Sequence, residues 1–198
     1  MKKVLLATVV VLFALSVNAQ VQFGVKAGLN VASIKTDPDM SEKSKIGFHA
    51  GVIAEFSFGE SFALQPGVLF SQKGAVSKDN SDDQLALNYI DIPITLKYKI
   101  AAGNMKIYIG AGPVISYAIG GKWKSAAGDT DVKFGSSDTD DFKPLDLGLG
   151  LGAGLEISSF QIGVNYNLGL SNISPQSGTS FKNNVLGISV AYLFGGKK

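Results

Sequence analysis

The sequence predicts an all-β protein, an eight-stranded antiparallel up-and-down transmembrane β-barrel. Three observations carry that reading. Apolar and polar residues alternate strictly through eight segments, the period of a strand with two unlike faces. Short and long links alternate between the segments, as in a meander, whereas parallel strands need a long crossover at every step. All thirteen glycines inside the segments fall on the polar face.

Taken in order, the first segment sets Phe23, Val25, Ala27, Leu29 and Val31 against Gln22, Gly24, Lys26, Gly28 and Asn30. The second sets the even positions from Phe48 to Phe58 against His49, Gly51, Ile53, Glu55 and Ser57. The third runs from Phe62 to Phe70 against Ala63, Gln65, Gly67, Leu69 and Ser71. In the fourth, Ile90 to Ile100 oppose Tyr89, Asp91, Pro93, Thr95, Lys97 and Lys99. Met105–Tyr117, Leu145–Leu155, Phe160–Leu170 and Leu186–Phe194 repeat the pattern, with Lys106, Asp146 and Glu156 on the polar side. Each segment is close to the roughly 9–11 residues with which a tilted strand crosses a bilayer. Gly59-Glu60-Ser61, 101–104 and Ser158-Ser159 read as tight turns, and 32–46, 73–87, 118–143 and 171–184 as long polar links. Pro66 and Pro113 lack the N–H a ladder needs, so bulges or ladder gaps are expected there.

Alternation does not itself say which face is inside, and a soluble lipocalin-like lipid carrier has the same period in the opposite sense. Glycine favours a polar interior. It weakens a strand and offers nothing to pack on a wet surface, but it makes room inside a barrel that eight strands barely open. The in-segment charges agree: Lys26, Lys97, Lys99 and Lys106 balance Glu55, Asp91, Asp146 and Glu156, all on the glycine face. Balanced charge suits a closed interior, where an unpaired ion is costly. Aromatic residues such as Phe48, Phe62, Tyr98, Phe160 and Tyr192 gather towards the ends of the apolar rows, like interfacial girdles.

Composition excludes several classes. The chain has 198 residues, 45% hydrophobic and 17% charged, with no Cys, one His and a net charge of +2. Both surplus charges are Lys2 and Lys3, and there is no Arg, so no concentrated basic face for nucleic acid is present. Disulfides, thiolate metal sites and multi-histidine sites are excluded, and no metal or cofactor is expected. Lys2-Lys3, the uncharged run Val4–Leu15 and Ala19 read as a signal peptide over residues 1–19, cleaved before Gln20, with the barrel domain spanning 20–198.

The segments Asn88-Tyr89-Ile90-Asp91-Ile92-Pro93-Ile94-Thr95-Leu96-Lys97-Tyr98, Tyr108–Pro113, Asp146–Gly154 and Tyr166–Ile173 resemble, in order, strands of the PorT-like outer-membrane β-barrel proteins of Gram-negative bacteria. The resemblance runs from Gln20 to Phe194. It implies an outer-membrane address, an eight-stranded barrel and, for most members, no assigned activity. Outer-membrane barrels also resemble one another in a last strand ending in Phe. Tyr192 and Phe194 fit that C-terminal assembly signal, with Gly195-Gly196-Lys197-Lys198 trailing behind. The implied partners are outer-membrane lipids, the barrel-assembly machinery and an extracellular or envelope protein of unspecified kind.

Candidates for chemistry are few. His49 is the only histidine and no adjacent Ser or Asp motif supports it as a catalytic base. Asp129, Asp131, Asp138, Asp140 and Asp141 crowd the third long link and form a candidate cation site, although their spacing matches no EF-hand. Gly148–Gly154 alternates Gly with Leu and lacks phosphate-loop spacing. The expected function is a non-enzymatic membrane scaffold or surface-interaction protein with a side-chain-filled lumen. The alternatives are a narrow solute or ion channel, a secretion-accessory barrel, the soluble carrier, or a barrel enzyme using His49.

Overall fold

The structure, a computed structural model, describes residues 20–37, 43–78, 80 and 82–195. The expected signal peptide and the last three residues of the tail lie outside the described residues. The strands are β1 (Gln20–Asp37), β2 (Lys43–Phe58), β3 (Phe62–Val76), β4 (Gln84–Ala102), β5 (Met105–Lys124), the two-residue β6 (Thr130–Asp131), β7 (Leu145–Ile157), β8 (Phe160–Gly169) and β9 (Ser180–Phe194). Each long strand pairs antiparallel with its neighbours in sequence, β6 merely edges β5, and β1 pairs with β9. Eight long strands therefore close a ring and leave no open edge, which a membrane-spanning sheet requires.

Several strands are longer than the alternating segments led one to expect. β4 has 19 residues and β5 has 20, so much of what reads as polar link at 32–46, 73–87 and 118–143 is strand. The cause is a change in what the inner face carries. Leu85, Leu87 and Tyr89 continue the inward parity of Asp91 but are apolar, so the two faces stop differing and the alternation signal fades. Register also shifts by one residue in two ladders, between Ser44 and His49 in β2–β3 and at the end of β4–β5. Asn88 pairs with Gly120 and Tyr89 with Ala118, leaving Ile119 as a bulge that inverts the faces of the end of β5.

The tight turns fall where expected, except that Ala101 and Ala102 belong to β4 and narrow the second to Gly103-Asn104. Gly59 and Gly103 have φ of 64° and 63°, and Ser158 takes φ 54° in the two-residue turn between β7 and β8. At Pro66 and Pro113 the ladders open without slipping. β3 pairs Pro66 with Ile94 and next Leu69 with Asp91, while β4 pairs Pro93 with Val114 and next Leu96 with Ala111. Both prolines therefore produce gaps rather than bulges.

The apolar rows face outward. Leu29 and Ile188 are each 61% exposed, and the same is true in kind of Val52, Ile109, Leu151 and Val164. Burying those rows needs hydrocarbon around the ring, the reverse of a soluble carrier. Rings pair at both margins of the band. Phe62 meets Tyr98 at 5.1 Å and Phe160 meets Tyr192 at 5.0 Å near the short turns, and Phe48 meets Phe70 at 5.4 Å towards the long links.

Candidate functional site

Inside the ring, glycine and charge divide the space. Gly154 and Gly163 let the Tyr108 ring lie across the lumen, since a Cβ on either would run into its hydroxyl end. Gly28 likewise leaves room for the His49 imidazole. Large polar side chains thus fill a tube too narrow for a side chain at every position.

Two polar networks result. Towards the short turns, Glu55, 0% exposed, receives Lys99 and Lys97, the latter at 3.4 Å, and Lys99 also reaches Glu156 at 2.6 Å. Gln65 and Gln161 donate to Glu55 Oε2, each at 2.9 Å, and Lys97 donates to Gln161 Oε1 at 2.8 Å. The Lys97 ammonium sits 4.3 Å from the Tyr108 ring centroid. Each ion thereby gains several partners, the condition under which buried charge is tolerated.

Towards the long links, Lys73 pairs with Asp91 at 3.0 Å and lies 3.9 Å from Asp146. It also donates to Ser116 Oγ at 2.8 Å and sits 4.5 Å from the Tyr89 ring. Asp146 accepts from Asn183 at 2.9 Å and from Ser171 at 3.0 Å. A chamber of about 80 Å³ reaches from one network towards the other, lined by Lys26, Asn30, His49, Asn165 and Ser189 among others. Its size is enough for several waters.

Above the second network the lumen turns apolar. Leu85, Leu87, Tyr89, Ala118, Val132, Phe142 and Ile173 form one cluster, with Ile34, Phe134 and Phe181 packed on it. The link after β5 folds back to supply Val132 and Phe142. It is held there by Val132 N–H to Gly121 O at 3.0 Å, Ala118 N–H to Pro144 O at 2.8 Å and Lys143 N–H to Ile173 O at 2.7 Å. Trp123 covers Phe142 at 6.0 Å. Side chains therefore fill the lumen at three levels.

Of the residues expected to form a lumen charge network, Glu55, Lys97 and Glu156 meet in the first cluster and Asp91 and Asp146 in the second. Lys106 lies in register with Glu156 at the short-turn end. Lys26 lines the chamber and pairs with no carboxylate among the described residues. The expected zero balance needs correction, because Lys73 belongs inside as well. Its position continues the inward odd parity of Gln65, Leu69 and Ser71, a signal that was available in the sequence.

The remaining candidates are dispersed. His49 is 5% exposed; its Nδ1 faces Asn30 Oδ1 at 2.8 Å, and Asn30 Nδ2 donates to Ser71 Oγ at 3.1 Å. The serine thus contacts the amide rather than the imidazole, and a base must reach its nucleophile to activate it. In the loop, Asp140 accepts from Ser137 N–H and Asp141 from Lys133 N–H, both at 2.8 Å, while Asp129 lies 3.8 Å from Lys122. Asp131 sits opposite Lys122 in β6, and Asp138 is exposed. Among the described residues no three or more acidic, His or Cys side chains gather as a metal-holding group. Tyr192 and Phe194 lie on the outer face of β9 with their rings 5.0 Å apart.

A closed eight-stranded ring, greasy outside and ionic within, defines an integral outer-membrane β-barrel. The chain belongs to the family described as outer membrane protein beta-barrel domain, whose model matches residues 16–174. Its fold is similar to that of Neisserial surface protein A, with a TM-score of 0.51 and 15% identity over 86% of this chain and 96% of that one. It is also similar to Ail, the attachment invasion locus protein of Yersinia pestis, with a TM-score of 0.50 and 15% identity over 87% and 98%. At such identity the likeness is one of fold. No curated protein matches the chain in sequence.

Proposed function

We propose that the protein is a non-conducting outer-membrane scaffold of PorT-like type, whose long-link end faces outward and makes surface contacts. It is exported by a signal peptide cleaved before Gln20 and inserted by assembly machinery that reads Tyr192 and Phe194. The carrying observation is the lumen: two polar networks and an apolar cap fill it in series, while the outer wall keeps an unbroken apolar band. A pore would need sixteen or more strands, or an interior free of such fillings. With the tube closed, the surface that remains for function is the long-link end, where Trp123 is 42% exposed beside the acidic loop. The names of the two fold neighbours, a surface protein and an attachment invasion locus protein, are in keeping with a contact role.

Planar-bilayer recording of the purified barrel tests the closed lumen. Steady single-channel conductance in the wild type would refute it and favour a narrow ion path through the chamber. Thiol labelling of Ala126→Cys, at an exposed position after β5, tests the orientation: whole cells react with an impermeant maleimide if that end is outside.

A further inference from the structure

The β1–β9 seam carries two lysines directly opposite one another. In register, Lys35 lies opposite Lys182, Ser33 opposite Asn184 and Val31 opposite Leu186. Ile34 and Phe181 pack on the inner apolar cluster, and Asn183 bonds inward to Asp146. Strand alternation therefore turns Ser33, Lys35, Lys182 and Asn184 to the outer wall. Val31 and Leu186, which begin the apolar band beneath them, are 43% and 47% exposed.

Among the described residues neither Lys35 nor Lys182 forms an ion pair. Like charges directly opposite on one sheet face repel, so this arrangement weakens the seam unless an anion lies between them. Neutral donors stand beside it. Asn184 Oδ1 accepts from Gly169 N–H at 3.2 Å, which leaves the Asn184 amide nitrogen to donate, and Ser33 adds a hydroxyl. A hydroxyl and an amide thus stand one outward residue pair above a hydrocarbon-facing row, and two ammonium groups one outward pair higher. Basic side chains just beyond a hydrocarbon-facing band are placed to meet anionic lipid headgroups.

We propose that Lys35, Lys182, Asn184 and Ser33 bind the phosphate group of an outer-leaflet glycolipid, whose acyl chains run down Val31 and Leu186. The ammonium groups supply charge-assisted hydrogen bonds to phosphate oxygens, and Ser33 and Asn184 supply neutral ones. The assignment rests on the reading that the long-link end faces outward.

Native mass spectrometry of the full barrel in detergent, with lipid A carrying two phosphates and with its dephosphorylated form, tests the site. The wild type should retain the phosphorylated lipid at least about tenfold more than Lys35→Gln/Lys182→Gln, given two lysines each contributing at the membrane surface. The dephosphorylated lipid should show no such difference, and Lys43→Gln/Lys78→Gln, which alters other rim lysines, should behave as wild type. Asn184→Asp should weaken retention as well, and heat-modifiable gel migration shows that each variant is folded. Equal retention by wild type and the double Gln variant overturns the site. Competition by millimolar inorganic phosphate that matches the lipid's own affinity overturns the lipid as its source. If Ala126→Cys proves shielded on whole cells while phosphate selectivity persists, the orientation has failed and the outer leaflet with it, but the phosphate chemistry stands.

Discussion

Replacing Glu55 by Gln removes the carboxylate that two buried ammonium groups share. Lys97 lies 3.4 Å from it and Lys99 is closer. At an effective dielectric of about 20, a pair at that separation attracts by about 5 kcal/mol. In the variant Lys99 keeps Glu156 at 2.6 Å, so the loss falls mainly on Lys97, left with Gln161 Oε1 at 2.8 Å and the Tyr108 ring. The new amide accepts through one oxygen only, and its nitrogen must face Lys97, Lys99, Gln65 or Gln161, of which the lysines are donors alone. Part of the lost attraction is offset because no carboxylate need be stripped of water. Stranding one member of a buried pair costs about 3–5 kcal/mol, and Glu55→Gln should fall in that range. Urea titration in detergent or lipid vesicles measures it, read by heat-modifiable migration and by fluorescence of Trp123. A partner variant, Glu55→Gln/Lys97→Met, restores one cation to one anion at Lys99 and Glu156, and should recover most of the loss. A Glu55→Gln barrel within about 0.5 kcal/mol of wild type, or a double variant weaker than the single, would refute the stabilising role given to this network.

Four further outcomes follow from the same geometry. Gly163→Ala brings a methyl against the Tyr108 hydroxyl and should cost about 1–3 kcal/mol, most of it recovered in Gly163→Ala/Tyr108→Phe, both measured by urea titration. Val164→Lys on the outer wall should cost about 2–4 kcal/mol if that position lies near mid-bilayer, and spin labels at Leu149 or Val190 should meet oxygen dissolved among acyl tails; labels screened by protein packing would invert the assignment of faces. Phe142→Ala removes a ring from the lumen cap and should cost about 3 kcal/mol, speeding hydrogen exchange across 125–144 while leaving the Glu55 network protected. His49→Ala should leave lipid and peptide hydrolysis in vesicles unchanged, and a drop would restore the enzyme reading.

How far the fold was legible depended on how unlike the two faces of each strand are. Through the membrane band the contrast is maximal, Leu147 against Gly148 or Ile162 against Gly163, and the strands and their facing follow directly from period two. Near the long links the inner face becomes Leu85, Leu87 and Val185, and the same rule mistakes strand for loop. The tight turns were readable because Gly59 and Gly103 mark positive φ, whereas the bulge at Ile119 has no such marker. Closure of β1 on β9 follows from strand count and the intolerance of lipid for an open edge, rather than from any residue.

The site divides along a different line. Which charges face inward is a matter of parity, and parity alone would have added Lys73 to the set. Which of them meet depends on barrel stagger, since Glu55 of β2 reaches Gln161 of β8 and Lys73 of β3 reaches Asp146 of β7 across the lumen. That stagger is fixed by closure, and no local pattern encodes it. The same stagger underlies the non-conducting lumen proposed above. Cations and anions from strands that are not neighbours interlock in layers, so opening a path means breaking several charge-assisted bonds together rather than turning one side chain. On the function proposed above, such a barrel holds its shape by its interior and works at its rim, where Lys35 and Lys182 stand opposed and neither forms an ion pair among the described residues.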